Sequence, residues 1–182
     1  MTLLASEFRT LRRHLNQTAG RIARQQITGK VHPGSQDLKA RTIRLELGID
    51  AKGKPILSPP VRWQEPAAGS FRVHSVPADN EQMVLTSPSG SVGTASLAVR
   101  ATYDNDTSPP SQSAGEGVLR VGSSRIVMKD GEMTISADHL KLISDHIDTQ
   151  GEKITHNDKN IGDTHEHTEV KKGADLTGPP AG

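Results

Sequence analysis

Residues 119–167 decide the fold, because they read as consecutive groups of seven: LRVGSSR, IVMKDGE, MTISADH, LKLISDH, IDTQGEK, ITHNDKN and IGDTHEH. The first residue of every group is apolar. These first positions, called here the repeat row, are Leu119, Ile126, Met133, Leu140, Ile147, Ile154 and Ile161.

The companion apolar positions show which secondary structure this period encodes. A coiled coil would need a second apolar row three residues after the first, and in that row only Ile143 is apolar. The apolar companions lie two residues after the first position instead, at Val121, Met128, Ile135 and Leu142. Because side chains two residues apart share one face of a strand, the pattern predicts short β-strands separated by polar turns.

Each group offers at most two inward apolar side chains, which is too few to bury a core within one chain. Narrow rungs of this kind gain a dry interior when several copies of the chain wrap around a shared axis. Three copies are the natural number. We therefore expect the repeat row to form the core of a homotrimeric, intertwined β-helix, or β-prism.

Two histidines at the end of the repeat are candidate metal ligands. His165 and His167 have the same parity as Ile161, so their imidazoles are expected to face the same axis. Two imidazoles from each of three chains give six nitrogens, which favour an octahedral ion such as ferrous iron, although nickel or cobalt would fit. A filled coordination shell predicts a structural ion, because a hydrolytic metal needs an open position. Taken alone, a His-x-His motif is more often a solvated pair.

Three further histidines lie within the repeat. His139 and His146 each close a group of seven and are expected to be solvated turn residues. His156 has the inward parity, so three copies could meet on the axis around water or an ion.

Composition narrows the class of protein. The chain has 182 residues, 32% of them hydrophobic, with a mean hydropathy of −0.54, which predicts one or two small domains that depend on partner chains for burial. A net charge of +1 with mixed signs gives no electrostatic case for nucleic acid, and the absence of cysteine excludes disulfides. Without a signal-peptide core or a transmembrane run in the sequence, we expect synthesis in a cytoplasm.

The order of segments predicts a mainly β protein. We expect an N-terminal helix over 1–20 that ends at Gly20, an OB-like β-barrel over 21–103, a linker over 104–116, the trimeric β-helix over 117–168 and a tip segment over 169–182. The helix presents Leu4, Phe8, Leu11 and Leu15 on one face, and either the chain's own barrel or a partner protein could cover it. Barrel strands are predicted at 26–31, 42–47, 56–63, 71–76, 82–86 and 95–103.

This order of parts, together with the Thr-His-x-His that ends at His167 and the Thr-Gly-Pro-Pro that ends at Pro180, resembles the baseplate assembly protein V family. Its members are the central spike proteins of contractile-tailed, Mu-like phages and of tailocins. The resemblance covers nearly the whole chain and is sharpest at the two motifs.

The resemblance implies a homotrimeric needle at the distal tip of a virion tail baseplate, assembled in the host cytoplasm. It implies one structural iron ion per trimer, held by His165 and His167, and an N-terminal part that binds the baseplate hub protein. Contraction of the sheath would drive the tip through the host outer membrane, so that contact with the membrane is transient.

Two other classes of protein remain open at this stage. A trimeric tail-fibre or adhesin segment would bind a receptor through exposed aromatic or polar side chains, and residues 119–167 contain no Phe, Tyr or Trp. A metal-dependent enzyme is not expected, since it would require further ligands and an acid or base in a pocket, and Glu166 alternates away from the two histidines.

Overall fold

The computed structural model describes residues 2–162 and residue 173. The chain divides into two compact units, Met1–Ile135 and Ser136–Gly182. The first unit is mainly β, with one N-terminal helix and a curled, mixed β-sheet that forms half of a barrel. The second unit contains a short hairpin in its described part. The predicted mainly β class and the N-terminal helix are confirmed.

Helix α1 spans Thr2–Ala23 and continues past Gly20, where the sequence predicted its end. A glycine inside a helix costs only about 1 kcal/mol relative to alanine, so one glycine does not stop a helix that other residues favour. The helix ends instead through two tight turns, in which Arg24 N donates to Arg21 O at 3.2 Å and Gln25 N donates to Ile22 O at 3.1 Å.

The largest sheet has seven strands in the order β2-β5-β7-β6-β1-β3-β4. All neighbouring pairs for which a register is defined are antiparallel except β5 with β7, which makes the sheet mixed. The strands are β1 (Gln26–Val31), β2 (Thr42–Ile43), β3 (Leu45–Ile49), β4 (Pro55–Leu57), β5 (Val61–Trp63), β6 (Gln82–Thr86) and β7 (Leu97–Arg100).

The connection between β2 and β3 explains why this sheet curls. Only Arg44 separates the two strands in sequence, yet β2 is the first strand of the sheet and β3 the sixth. Ile43 pairs with Val61 on β5, whereas Leu45 pairs with Val31 on β1. Because one short segment must pair near both edges, the sheet bends round on itself.

The core lies inside this curl and follows the two-residue alternation of the strands. On β6, for example, Met83 and Leu85 are fully buried while the residues between and beside them are half-buried. Ser87 and Ser96 are also buried, and their hydroxyl oxygens lie 2.6 Å apart in a hydrogen bond. The apolar core consists of Val31, Ile43, Leu45, Val61, Trp63, Met83, Leu85 and Ala98.

The sequence predicted most of these strands and one that does not form. The strands over 26–31 and 82–86 are confirmed at both ends, while 42–47 is broken at Arg44 and 56–63 is interrupted before β5. Residues 71–76 were wrongly predicted as a strand, and the segment contributes only the isolated bridge of Arg72 to Ala68. Its backbone bonds to a nearby turn and to side chains instead of a strand: Val73 N donates to Ala67 O, Ser75 N donates to Glu65, and Ser75 O accepts from Arg100.

The start of the seven-residue repeat forms a separate three-stranded sheet in the order β10-β9-β8. Its strands are β8 (Gly117–Val121), β9 (Ser124–Lys129) and β10 (Glu132–Ser136). Two-residue turns join them, and Gly122 in the first turn has a φ of 58°, as a type II′ hairpin turn requires. Strands followed by short turns are thus confirmed for the first three groups of seven.

The second unit keeps the same hairpin design at the end of its described part. Strands β11 (Thr155–His156) and β12 (Lys159–Asn160) pair antiparallel. Asn157 and Asp158 join them with φ values of 47° and 62°, the left-handed conformation that a type I′ turn needs and that these residue types tolerate. Residues 137–154 contain no strand, so the strands predicted at Leu140 and Ile147 are not formed in the single chain.

The C-terminal end of α1 is attached to the turn after β6. Ser87 N donates to Gln25 O at 2.8 Å, and Arg24 Nε donates to Gly90 O at 3.2 Å. Gly90 has a φ of 68°, and a Cβ atom at this position would lie 2.3 Å from Arg21 O. Only glycine therefore allows the turn to approach the helix this closely.

We predict that Gly90→Ala lowers the free energy of unfolding by about 1–3 kcal/mol, since it adds left-handed strain and a backbone clash. Urea denaturation of the purified chain measures the change. Gly93→Ala is the matched control, because no heavy atom lies within 4 Å of its added Cβ, and its effect should stay within about 0.5 kcal/mol. Equal stability of the two variants would contradict the attachment.

Candidate functional site

The repeat row is the first candidate site, and strand pairing sets consecutive members of it side by side. Leu119 on β8 lies directly opposite Ile126 on β9. In the second unit Ile161 N donates to Ile154 O at 2.7 Å, which extends the β11–β12 ladder by one pair of row residues. At these two places a row residue meets the next one across a two-residue turn, whereas β9 and the turn after it occupy eight residues, 124–131.

The face of β8 and β9 that carries the row is apolar. The pairing register places Val121 and Met128 on the same face as Leu119 and Ile126, because every second side chain along a strand lies on one face. The opposite face carries the arginine pair Arg120 and Arg125, and it also carries the half-buried apolar pair Val118 and Val127. Both faces of this small sheet therefore carry apolar side chains, and the face with the repeat row carries more of them.

That apolar face is not covered within the single chain. Ile126 is half-buried, and the other six row residues keep between 43% and 65% of their surface exposed. Val121 and Leu142 of the companion row are more exposed still. Isolated exposed apolar residues are ordinary in proteins, but a regular row of them marks a surface that a partner covers.

The second candidate site, His165 and His167, lies outside the described residues. Within residues 2–162 and 173, no group of three or more His, Asp or Glu side chains is placed to hold a metal ion. His146 is exposed and pairs through Nε2 with Asp148 Oδ1 at 2.8 Å, and His139 is exposed too, as expected of solvated residues. His156 is exposed on β11, opposite Lys159.

A carboxylate that the sequence analysis did not single out organises one end of the half-barrel. Only 7% of the Glu65 side chain is exposed, and Oε1 accepts from Trp63 Nε1 at 3.0 Å and from Arg41 Nη2 at 2.7 Å. His74 Nδ1 lies 3.3 Å from the same oxygen, and Ser75 N donates to Oε2 at 3.3 Å. The Arg41 guanidinium also lies over the Trp63 ring, 5.7 Å from its centroid.

These contacts lower the pKa of Glu65 from its ordinary value, with the hydrogen bond from Trp63 as the largest cause and those from Ser75 and His74 adding to it. The four donors come from three segments, so the ionised carboxylate ties together β5, the segment before β2 and the irregular 71–76 segment. All the groups around Glu65 are donors, and the arrangement leaves no proton acceptor beside it. Its geometry fits a structural role.

An ion pair fixes the start of the predicted linker. Lys30 Nζ on β1 lies 2.9 Å from Asp104 Oδ2 and also contacts Asp106. The hydrogen bonds to Asp106 and Asp104 raise the pKa of Lys30, and the bond from Lys30 lowers the pKa of Asp104. The chain therefore leaves the half-barrel at a defined point rather than as a loose tether.

Two aromatic residues of the first unit are exposed. Trp63 belongs to the core, whereas Phe71 and Tyr103 are 74% and 58% exposed. Phe71 lies in the segment that does not form a strand, so the alternation that would have turned it inward is absent. No helix in the described part of the chain is long and apolar enough to cross a bilayer.

The sequence matches no protein-family model and no curated protein.

We predict that Glu65→Gln lowers the melting temperature at pH 7 by about 2–4 °C, because the neutral amide cannot serve four donors as an ionised carboxylate does. A carboxylate with a lowered pKa stabilises the fold fully above its ordinary value of 4.5, and this contribution is lost as the pH falls through the folded-state pKa. The difference between the variant and the natural chain should therefore shrink below pH 4.5.

Thermal unfolding followed by circular dichroism measures this dependence between about pH 3 and pH 8, a range that covers the titration of a carboxylate. Glu152→Gln removes the same charge from an exposed site and serves as the control. A pH-independent difference for Glu65→Gln would show that the charge of Glu65 is not what stabilises the cluster.

Proposed function

We propose that the repeat assembles this chain into a homotrimer whose shared interior is the repeat row. The observation that carries the proposal is the regular exposure of that row, from Leu119 to Ile161, in a single chain. The polar residues between row positions supply turns and a wet outer face, and they offer no alternative core. Three copies with their rows turned to one axis would remove these side chains from water.

The finer architecture belongs to the same proposal. The half-barrel is the OB-like barrel over 21–103, the linker spans 104–116, the repeat over 117–168 wraps with two other copies into an intertwined β-helix, and 169–182 forms the tip segment. Three features support it: the curl of the seven-stranded sheet, the ion pair that fixes Asp104, and the short strands and turns with which the repeat begins. Residues 137–154, which form no strand with any described residue, would find strand partners in a neighbouring copy.

The tip of the trimer would hold one iron ion through His165 and His167 of each chain. Six imidazole nitrogens are a suitable donor set for a ferrous ion, and their inward parity continues that of the repeat row. Bound there, the ion would cross-link three chain ends that would otherwise fray. The chain's own residues orient and enclose the site.

A trimeric needle with a cross-linked tip is suited to mechanical work. We propose that the protein is the central spike of a contractile phage tail or tailocin baseplate, attached to the hub and driven through the host outer membrane when the sheath contracts. Strand ladders that run between chains spread a load over many backbone hydrogen bonds. The proposal assigns no catalytic residue to the chain.

One observation favours the alternative of a trimeric tail-fibre or adhesin segment. Phe71 and Tyr103 are exposed aromatic residues on the first unit, and such residues often anchor a binding partner. In a spike the same residues would serve contacts with the baseplate hub, so they do not by themselves distinguish the two functions.

We predict that Ile147→Asp prevents trimer formation, because three carboxylates would meet in an apolar interior without partners, at a cost of several kcal/mol each. Sedimentation velocity measures the oligomeric state. Ile143→Asp is the matched control: the residue type, the change and the surroundings are alike, but Ile143 has the outward parity and is 82% exposed. The control should stay trimeric, and a trimeric Ile147→Asp chain would overturn the assignment of the row.

We predict that His165→Ala with His167→Ala leaves the trimer assembled, removes its bound iron and lowers its melting temperature. Native mass spectrometry reports the oligomer and the metal in one spectrum, and elemental analysis identifies the ion. His139→Ala with His146→Ala removes two histidines from exposed positions and should retain about one iron per trimer. Unchanged metal content in the first variant would refute the tip site.

A further inference from the structure

Helix α1 carries an apolar seam with a heptad period that is separate from the β-repeat. Its positions alternate in steps of four and three residues, which is the a/d spacing of a coiled coil. In that register Phe8, Leu15 and Ile22 occupy a positions, and Leu4, Leu11 and Thr18 occupy d positions. The helix is 22 residues long, about three heptads and about 33 Å.

The seam is exposed along its length. Leu4, Phe8, Leu11, Leu15 and Ile22 each keep between 55% and 71% of their surface exposed, so the half-barrel does not cover them. The hydrogen bonds that attach the helix lie at its C-terminal end, where Arg24 and Gln25 meet the turn after β6. The attachment leaves the apolar side chains outside the fold of the single chain.

We propose that α1 packs, parallel and in register, against the α1 helices of further copies of this chain. The stripe has the width of a coiled-coil seam, because large apolar residues occupy the a and d positions and, among positions 4–23, no others. A helix lying in a lipid surface needs a broader apolar face.

The charged residues beside the seam also favour α1 of another copy as the partner and a parallel orientation of the two helices. Glu7 is a g residue and Arg12 is the e residue of the following heptad. In a parallel, in-register pair, a g residue lies beside the next e residue of the neighbouring helix, so Glu7 of one copy would meet Arg12 of another. Of the remaining arginines, Arg9 and Arg13 occupy outward b and f positions, Arg21 occupies the last g position of the helix, and Arg24 follows the helix and donates to Gly90 O.

The fixed C-terminal end of the helix suits a parallel assembly. Each α1 is attached to its own half-barrel through Gly90 and Ser87, so parallel helices would keep their half-barrels at the same end. The helical seam and the repeat row are different segments with different periods, and a seam of about three heptads is too short to hold the copies together at low micromolar concentration without the repeat. The copy number and the stability of the assembly therefore rest on the proposed trimer, whereas the parallel direction of α1 does not.

Site-directed disulfide formation tests the packing in the full chain, which has no natural cysteine. Phe8→Cys and Ile22→Cys place thiols at two a positions, where each residue should meet its own counterpart in a parallel, in-register assembly. Arg13→Cys and Gln17→Cys place thiols at the outward f and c positions as controls. After mild oxidation at low micromolar concentration, non-reducing electrophoresis should show several-fold more linked chains for both a-position variants than for the controls.

Three results would overturn the inference. Equal linkage at all four positions would indicate random collision. Linkage at neither a position would exclude parallel packing, since antiparallel helices bring Phe8 close to the other end of the partner. A chain that floats with vesicles of phosphatidylcholine and phosphatidylglycerol, and whose a-position thiols become protected there without linkage, would assign the seam to a membrane surface.

The same experiment separates this inference from the proposed trimer. Sedimentation of the natural chain and of Ile147→Asp reports the trimer formed by the repeat, while the disulfides report the helices. A trimer without linkage at Phe8→Cys and Ile22→Cys would overturn the helical packing alone. Linkage in a chain whose oligomeric state is unchanged by Ile147→Asp would keep the helical packing and overturn the trimer through the repeat row.

Discussion

The burial of a narrow apolar row is the constraint on which the repeat region depends. Each group of seven brings one or two apolar side chains to a common face, and burying such a side chain contributes about 1.5–3 kcal/mol. The same group carries several polar residues that must be ordered in turns, which opposes folding. A chain of this composition gains too little from its own contacts, and its row stays exposed. In the proposed trimer, association with other copies would supply the burial that the single chain lacks.

The half-barrel, in contrast, buries its apolar side chains within the single chain. Its sheet curls because the short segment around Arg44 pairs near both edges, and the curl encloses a core of eight apolar residues. Polar contacts then fix its loops, with Glu65 and Lys30 as the two main anchors. The half-barrel thus encloses its own core, whereas the repeat region exposes a row of apolar side chains.

Local pattern predicted the elements that depend on local pattern. The strands over 26–31 and 82–86 and the first three repeat strands follow directly from alternation and turn residues. The segment 71–76 alternates equally well but forms no strand, because its backbone bonds to the Ala67 carbonyl and to the side chains of Glu65 and Arg100 instead of a neighbouring strand. Alternation records which face is apolar, and it does not record whether a neighbouring strand is available.

The two candidate sites differ in the same respect, because one follows a local sequence pattern and the other depends on residues that are distant in sequence. The repeat row could be identified from its period of seven residues. Its exposure in the single chain supports the proposed trimer, in which other copies would cover it. The Glu65 cluster could not be identified in this way, since its donors come from positions between 41 and 75 that share no motif. The local feature that could have indicated the cluster is that Glu65 follows Trp63, the last residue of β5, by two positions.

The two-residue turns of the repeat also restrict how such a chain can change in length. Leu119 faces Ile126 and Ile154 lies beside Ile161 across two-residue turns, and the apolar row residues recur every seven positions along the sequence. Inserting one residue would turn every later apolar side chain to the wet face, and deleting one would do the same. Inserting two would keep the face but misalign each later hairpin. Lengthening or shortening of this region is compatible with the fold only in whole groups of seven, so natural variants should differ in size by discrete steps.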